Sequence, residues 1–144
     1  MLSNTCKYAI RACIYLALEE NRNRIIGIKE ISKTLNIPTP FLGKILQVLA
    51  KNKILRSVKG PNGGFSLGLS PAHIKLMDIV NVIDGGDFFN SCLIGVAACS
   101  SEEEHCPIHP QYSPIREELK KLFLETNIEA LANEIHHHAH KVFI

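Results

Sequence analysis

Apolar side chains recur at helical spacing along the first third of the chain. The pattern predicts three short helices, over residues 6–20, 28–36 and 40–51, with a polar turn at residues 21–27. Thr39 is expected to cap the third helix ahead of Pro40, because a proline in the first helical turn loses no hydrogen bond. The inward face of this helix is expected to contain Phe41, Leu42, Ile45, Leu46 and Leu49. Two helices joined by a tight turn form a helix-turn-helix candidate.

The pattern changes to short strands after residue 53. Residues 54–58 and 65–69 predict two strands, and the segment KGPNGG at residues 59–64 predicts the turn between them. Gly60, Gly63 and Gly64 allow positive φ there, and Pro61 with Asn62 favours a turn. A β-hairpin directly after a helix-turn-helix predicts a wing.

The second half of the chain is again helical. A helix over residues 74–84 ends at two glycines, and a loop over residues 87–112 follows. Ser113 and Pro114 are expected to begin the next helix, and Thr126 with Glu129 forms a capping-box pattern ahead of a last helix that ends near His138. The apolar stripes of these two helices predict burial against a partner subunit.

Length and composition favour one cytoplasmic domain. The chain has 144 residues, 46% of them apolar, and lacks an apolar run long enough for a membrane span or a signal-peptide cleavage pattern. Charge is unevenly divided: residues 1–70 contain seven Lys and four Arg against three Glu, whereas residues 71–144 have a net charge of −6. A basic half is typical of a protein that binds the phosphate backbone of nucleic acid, although a solvated lysine-rich surface is the alternative.

Three cysteines lie at equal spacing in the loop: Cys92, Cys99 and Cys106, with His109 close behind. Thiolates are soft ligands suited to iron–sulfur clusters, zinc or copper(I), and the absence of short C-x-x-C steps favours a cluster over zinc. A thiol–disulfide pair and an inert loop are the alternatives without metal. The remaining two cysteines, Cys6 and Cys13, lie on one helical face and are expected in the core. The histidines near the end of the last helix are expected to be solvated.

These segments together resemble the IscR/NsrR/BadM-type family of bacterial winged-helix transcription regulators, the Rrf family. The similarity is carried by the opening KYAIRACIYLA, the block IKEISKTLNIPTPFLGKILQVLAKNKIL, the wing LRSVKGPNGGFSLG and the three-cysteine loop. The resemblance implies a mainly α fold with a winged helix-turn-helix over residues 1–84, a sensor loop over 85–112 and a long dimerisation helix within 113–144. It also implies a homodimer that binds a palindromic operator in double-stranded DNA, expected to be a repressor.

The resemblance further implies an iron–sulfur cluster that senses cluster supply, redox state or nitric oxide. In the IscR-like branch, a histidine three residues after the third cysteine completes a [2Fe–2S] cluster, and His109 matches that position. In the NsrR-like branch a carboxylate completes a [4Fe–4S] cluster, and the matching position here is Lys7. The expected ligands are therefore Cys92, Cys99, Cys106 and His109, with His105 and then Cys6 as competing donors. The cysteine spacing is one residue longer at each step than is usual in the family.

A winged helix places its second motif helix in the major groove and its wing against the DNA backbone. The expected DNA-binding residues on that helix are Thr39, Pro40, Gly43, Lys44 and Gln47. Contacts with phosphates or the minor groove are expected from Lys7, Arg11, Arg56 and Lys59. The residues of the wing turn that are expected to bind DNA are Pro61, Asn62, Gly63 and Gly64. An enzyme using Cys106 and His109 as nucleophile and base is disfavoured, since no substrate-pocket or cofactor motif accompanies them. A metal-binding adaptor without DNA binding is disfavoured by the basic first half.

Overall fold

The computed structural model of the protein describes residues 1–95 and 106–137. Within these ranges the elements follow in the order α1 (Asn4–Ala17), α2 (Ile28–Leu35), α3 (Thr39–Lys51), β1 (Leu55–Val58), β2 (Gly64–Leu67), α4 (Leu76–Ile83), α5 (His109–Glu125) and α6 (Ile128–His137). Two short 3-10 turns lie at Pro71–His73 and Gly86–Phe89. This order is the expected mainly α winged helix, so the predicted fold class is confirmed.

Helix α1 lies at the centre of the core. Its N-cap is Ser3, whose hydroxyl accepts a hydrogen bond from the Cys6 backbone N–H at 3.0 Å and also bonds to the carboxylate of Asp84. The helix packs against α3, α4 and α6. The side chains of Cys6 and Cys13 are fully buried, which confirms that both are core residues.

The turn of the helix-turn-helix begins at Asn36, which has the left-handed backbone conformation (φ 54°) common at helix ends. Pro38 is the N-cap of α3, and its carbonyl accepts the Leu42 N–H at 2.9 Å. The prediction that Thr39 caps α3 was therefore wrong. Thr39 is the first helical residue, and its hydroxyl instead bonds to the hydroxyl of Ser32 at 3.0 Å. That contact between the two helices could not be read from local sequence.

The wing pairs with one residue, Ile26, that the sequence pattern did not assign to it. Strands β1 and β2 pair antiparallel, with Val58 opposite Gly64. Ile26, in the segment predicted to be a polar turn, exchanges two backbone hydrogen bonds with Phe65 at 2.9 and 2.8 Å. A Cβ on Gly64 would lie 2.3 Å from the Ile26 carbonyl oxygen, so only glycine allows this close approach.

The second half departs from the prediction at both helix starts. Helix α5 begins at His109 rather than Ser113, so the boundary drawn at residue 112 falls inside it and Pro114 lies within the helix. Pro110, in the first turn of α5, is an equally good start signal. Helix α6 is capped by Asn127, whose side-chain oxygen accepts the Ala130 N–H at 2.8 Å, and not by Thr126.

The two C-terminal helices differ in what they bury. Helix α6 packs against α1 within the same chain, with Ile128 fully buried, and Glu129 pairs with Arg22 at 3.3 Å. Helix α5 leaves Ile115 and Leu122 more than half exposed. The prediction that both apolar stripes pack on a partner subunit was therefore wrong for α6.

Candidate DNA-binding surface and cysteine centre

The outward face of α3 carries two of the polar side chains predicted to read bases. Lys44 and Gln47 are exposed, as is Pro40 at the start of the helix. Gly43 lies where α2 and α3 cross, because a Cβ there would be 3.2 Å from the Ile28 Cδ1 atom. The predicted core residue Phe41 also lies on the outward face. It is 39% exposed, so its assignment to the core was wrong.

Helix α1 supports the start of α3. The Tyr8 ring meets the Phe41 ring edge-on, with 5.7 Å between centroids. The Arg11 guanidinium donates from Nη2 to the Leu35 carbonyl at 3.1 Å and lies 5.7 Å from the Tyr8 ring centroid. Arg11 therefore braces the end of α2, a role that sequence reasoning missed because its partner is 24 residues away. Lys7 on the same helix is exposed.

The wing presents positive charge to solvent. Arg56 on β1 and Lys59 at the turn are exposed, as are Pro61 and Asn62 at the tip. The half-buried Gly63 and Gly64 close the hairpin. Within residues 1–95 and 106–137, no ion pair involves Lys7, Lys44, Arg56 or Lys59, so no carboxylate in these ranges neutralises their charges. The ion pairs found in these ranges include Arg22–Glu129, Arg24–Glu30, Arg116–Glu117 and Lys121–Glu125.

The structure brings two of the three loop cysteines together. The Sγ atoms of Cys92 and Cys106 lie 3.4 Å apart, although 13 residues separate them in the chain. The backbone N–H of His109, at the start of α5, donates to the Cys106 carbonyl at 2.9 Å. Cys99 and the competing donor His105 lie outside the described residues. Among the side chains that are described, no group of three or more potential metal ligands is found.

Comparison with known proteins identifies the family to which this chain belongs. The sequence model of the Rrf2 family, described as an iron-dependent transcriptional regulator, matches residues 2–134. The chain belongs to the Rrf2 family.

Individual relatives agree with this assignment. A putative HTH-type transcriptional regulator of Aquifex aeolicus is 36% identical over 134 residues, which cover 92% of each protein. The structure of CymR, described as the global cysteine regulator of B. subtilis, superposes with a TM-score of 0.77 at 24% identity, covering 93% of this chain and 97% of CymR. That of T. potens IscR superposes with a TM-score of 0.71 at 20% identity, covering 98% and 93%. At these identities the two structures support the fold alone.

Rrf2 membership confirms the resemblance inferred from the sequence. It also confirms that the chain is a DNA-binding transcriptional regulator rather than an enzyme. In the part of the chain that the structure describes, no helix combines the length and the apolar character needed to cross a membrane.

The thiol pair of this Rrf2 regulator has a spacing compatible with a shared metal. A tetrahedral metal with metal–sulfur bonds of about 2.3 Å holds two sulfurs about 3.8 Å apart. The observed 3.4 Å between Cys92 and Cys106 is within a few tenths of an ångström of that value. Two soft sulfur donors at this distance suit an iron–sulfur centre, although His109 does not complete a group of three potential ligands with them in the described residues. The pair of thiols therefore fits such a group.

The thiols of Cys6 and Cys13 are poorly suited to bind a metal. Burial raises the pKa of the Cys6 thiol to about 12, and the negative charge of Asp84 and a hydrogen bond to it add to the effect. Burial likewise raises the pKa of Cys13 to about 12, with a smaller effect from Cys6. Metal binding and nucleophilic attack both require the thiolate. Cys6 is thus poorly suited to be the fourth ligand.

Proposed function

We propose that this Rrf2 regulator binds a palindromic operator as a cytoplasmic homodimer and represses transcription under control of its cysteine centre. The centre comprises Cys92, Cys99, Cys106 and His109, and it senses iron–sulfur, redox or nitric oxide status. The single observation that carries this proposal is the 3.4 Å approach of the Cys92 and Cys106 sulfurs. This contact brings the segment that follows the winged helix next to the start of α5.

In the proposed complex, α3 enters the major groove. Lys44 is suited to donate to guanine and Gln47 to form two hydrogen bonds with adenine, since both side chains are exposed on the outward face. Arg56 and Lys59 on the wing, with Lys7 on α1, provide phosphate contacts. Thr39 contributes less, because its hydroxyl is already bonded to Ser32.

Helix α5 provides the proposed dimer contact. Its apolar side chains Ile115 and Leu122 are seven residues apart and are 63% and 55% exposed. Seven residues are about two helical turns, so these side chains lie on one stripe. A two-fold symmetric pair of such stripes would match the symmetry of a palindromic operator.

The position of the cysteine centre supports its coupling to DNA binding. Cys92 follows the 3-10 turn after α4, and Cys106 precedes α5. A group bound by both thiolates would set the start of the dimer helix relative to the winged helix. An iron–sulfur cluster, expected to be [2Fe–2S] with His109 as fourth ligand and zinc as the lesser alternative, would supply a redox-reactive and nitric-oxide-reactive centre. Its gain or loss would favour one spacing of the two recognition helices over another.

The test is an absorption spectrum of protein purified without oxygen, combined with iron and sulfide assays. We expect visible charge-transfer bands with equal amounts of iron and sulfide, lost in Cys99→Ala and altered in His109→Ala. Cys13→Ala is the matched control, because this thiol is buried in the core, and it should keep the bands. A colourless protein after reconstitution with iron and sulfide would rule out the cluster but leave the DNA-binding role standing.

A cluster-free thiol switch is the second candidate, favoured by the same sulfur contact. Two thiols 3.4 Å apart can form a disulfide after a small movement to about 2.05 Å, if a mild oxidant accepts the two electrons and the protons leave to solvent. Treatment of the metal-free protein with diamide, an azo oxidant, should then join the Cys92 and Cys106 peptides in a mass-spectrometric map and change DNA affinity. The absence of that cross-link would exclude this candidate.

A further inference from the structure

Two of the three guanidinium nitrogens of Arg116 on α5 are buried without a hydrogen-bond acceptor in the part of the chain that the structure describes. Its side chain is 11% exposed, and its Nε and Nη1 atoms are buried with no hydrogen-bond partner in the described part of the chain. The carboxylate of Glu117 lies 3.7 Å from Nε, beyond hydrogen-bond distance, and is itself 59% exposed. The Tyr112 ring centroid lies 5.9 Å from the guanidinium carbon. Buried donors of a charged group are nearly always satisfied, so this guanidinium indicates an absent anion.

Arg116 also lines a cavity of about 430 Å³. This volume falls in the range of small-molecule binding sites. The walls are mainly apolar, formed by Phe89, Leu93 and Leu119. Arg116 is the one charged side chain among the residues that line it. An apolar cavity whose one charged side chain is a guanidinium favours a ligand with an apolar body and a negative charge.

We propose that this cavity binds a small monocarboxylate with a short apolar body, held by charge-assisted hydrogen bonds from Arg116. Cys92 borders the same cavity, so a bound carboxylate lies beside the cysteine centre and makes it responsive to a metabolite. The site is formed by α5, the segment on both sides of Cys92 and Met1, and it does not require a cluster. It can therefore be tested on metal-free protein, and its failure is distinguishable from failure of the cluster proposal.

The experiment is isothermal titration calorimetry of the reduced, metal-free full chain with hexanoate, repeated with hexan-1-ol as the uncharged counterpart. We expect saturable binding of one hexanoate per chain and at least tenfold weaker binding of the alcohol. Arg116→Gln should weaken hexanoate binding at least tenfold, whereas Arg116→Lys, which keeps the charge but loses the paired N–H donors, should weaken it less. Lys121→Gln removes a positive charge from an exposed position on the same helix and should bind like the wild type.

Three results would overturn the proposal. Equal binding of hexanoate and the alcohol, or unchanged binding in a folded Arg116→Gln variant, would show that the cation does not select the ligand. Absence of hexanoate binding combined with weaker self-association of Arg116→Gln in ultracentrifugation would assign the anion to a second copy of the chain. Absence of binding combined with altered absorption of the iron-loaded Arg116→Gln variant would assign the guanidinium to the cysteine centre. Circular dichroism confirms folding of each variant. If Arg116→Gln does not fold, Arg116→Lys provides the test: weaker hexanoate binding than in the wild type supports the proposal, and equal binding contradicts it.

Discussion

Replacing Lys59 by alanine should weaken DNA binding and flatten its dependence on salt. Lys59 is exposed at the start of the wing turn, next to Gly60 with φ 110°, and has no ion-pair partner among the described residues. Each neutralised phosphate adds about 0.9 to the slope of log affinity against log salt. The proposed homodimer would lose two such contacts, so the slope should fall by about 1.8. Between about 50 and 200 mM salt, the wild type should then lose about tenfold more affinity than the variant.

The assay is fluorescence anisotropy of a labelled operator duplex across a salt series. Lys121→Ala is the control, because it removes the same charge from a 71% exposed position on α5, outside the winged helix. This control should leave the slope close to that of the wild type. An unchanged slope in Lys59→Ala would refute the contact between the wing and phosphate. An equal loss in both variants would show a general effect of net charge.

Three further results should follow from the core and the thiols. Gly64→Ala should destabilise the fold by about 2–4 kcal/mol in urea unfolding, because its Cβ would displace Ile26 and both of that residue's hydrogen bonds. Gly86→Ala meets no atom within 4 Å and should stay within about 0.5 kcal/mol; equal losses would contradict this account. The raised pKa of Cys13, about 12 against an ordinary 9.0, means that the unfolded chain releases this proton first, so stability should fall as pH rises from about 9 toward 12. Cys13→Ala should show a smaller fall in the urea midpoint over that range, and an identical fall would argue against the shift. Iodoacetamide should label Cys92 in the reduced, metal-free protein at least tenfold faster than Cys13, as measured by peptide mass spectrometry, and similar rates would disagree with the observed burial.

Local patterns were sufficient for much of the winged helix. The apolar spacing of Ile31 and Leu35 marks the buried face of α2, and that of Leu42, Ile45 and Leu49 marks that of α3. The glycine-rich turn predicted the hairpin because its signals lie within a few residues of one another. The two predicted strands were correct to within one or two residues.

Sequence reasoning failed where two local signals were equivalent. Pro110 and Pro114 are both acceptable near a helix start, and only the hydrogen bond from the Tyr112 N–H to the Ile108 carbonyl shows that α5 begins before the first of them. Adjacent Phe41 and Leu42 are both apolar, yet only Leu42 is buried, since the Phe41 ring turns outward against Tyr8. Residue type alone therefore determines neither the start of α5 nor which of these two apolar side chains is buried.

The sequence by itself determined the helical periods, the wing turn, the basic first half and the set of cysteines available to a centre, because each depends on residues near one another in the chain. Only the tertiary structure decided that Cys92 meets Cys106, that Ile26 joins the wing, and that α6 is buried in its own chain while α5 leaves Ile115 and Leu122 exposed. It also decided that Arg116 lines a cavity and that two of its nitrogens are buried without a hydrogen-bond acceptor among the described residues. These features arise from contacts between segments distant in sequence, and burial and electrostatic environment depend on which segments fold against one another.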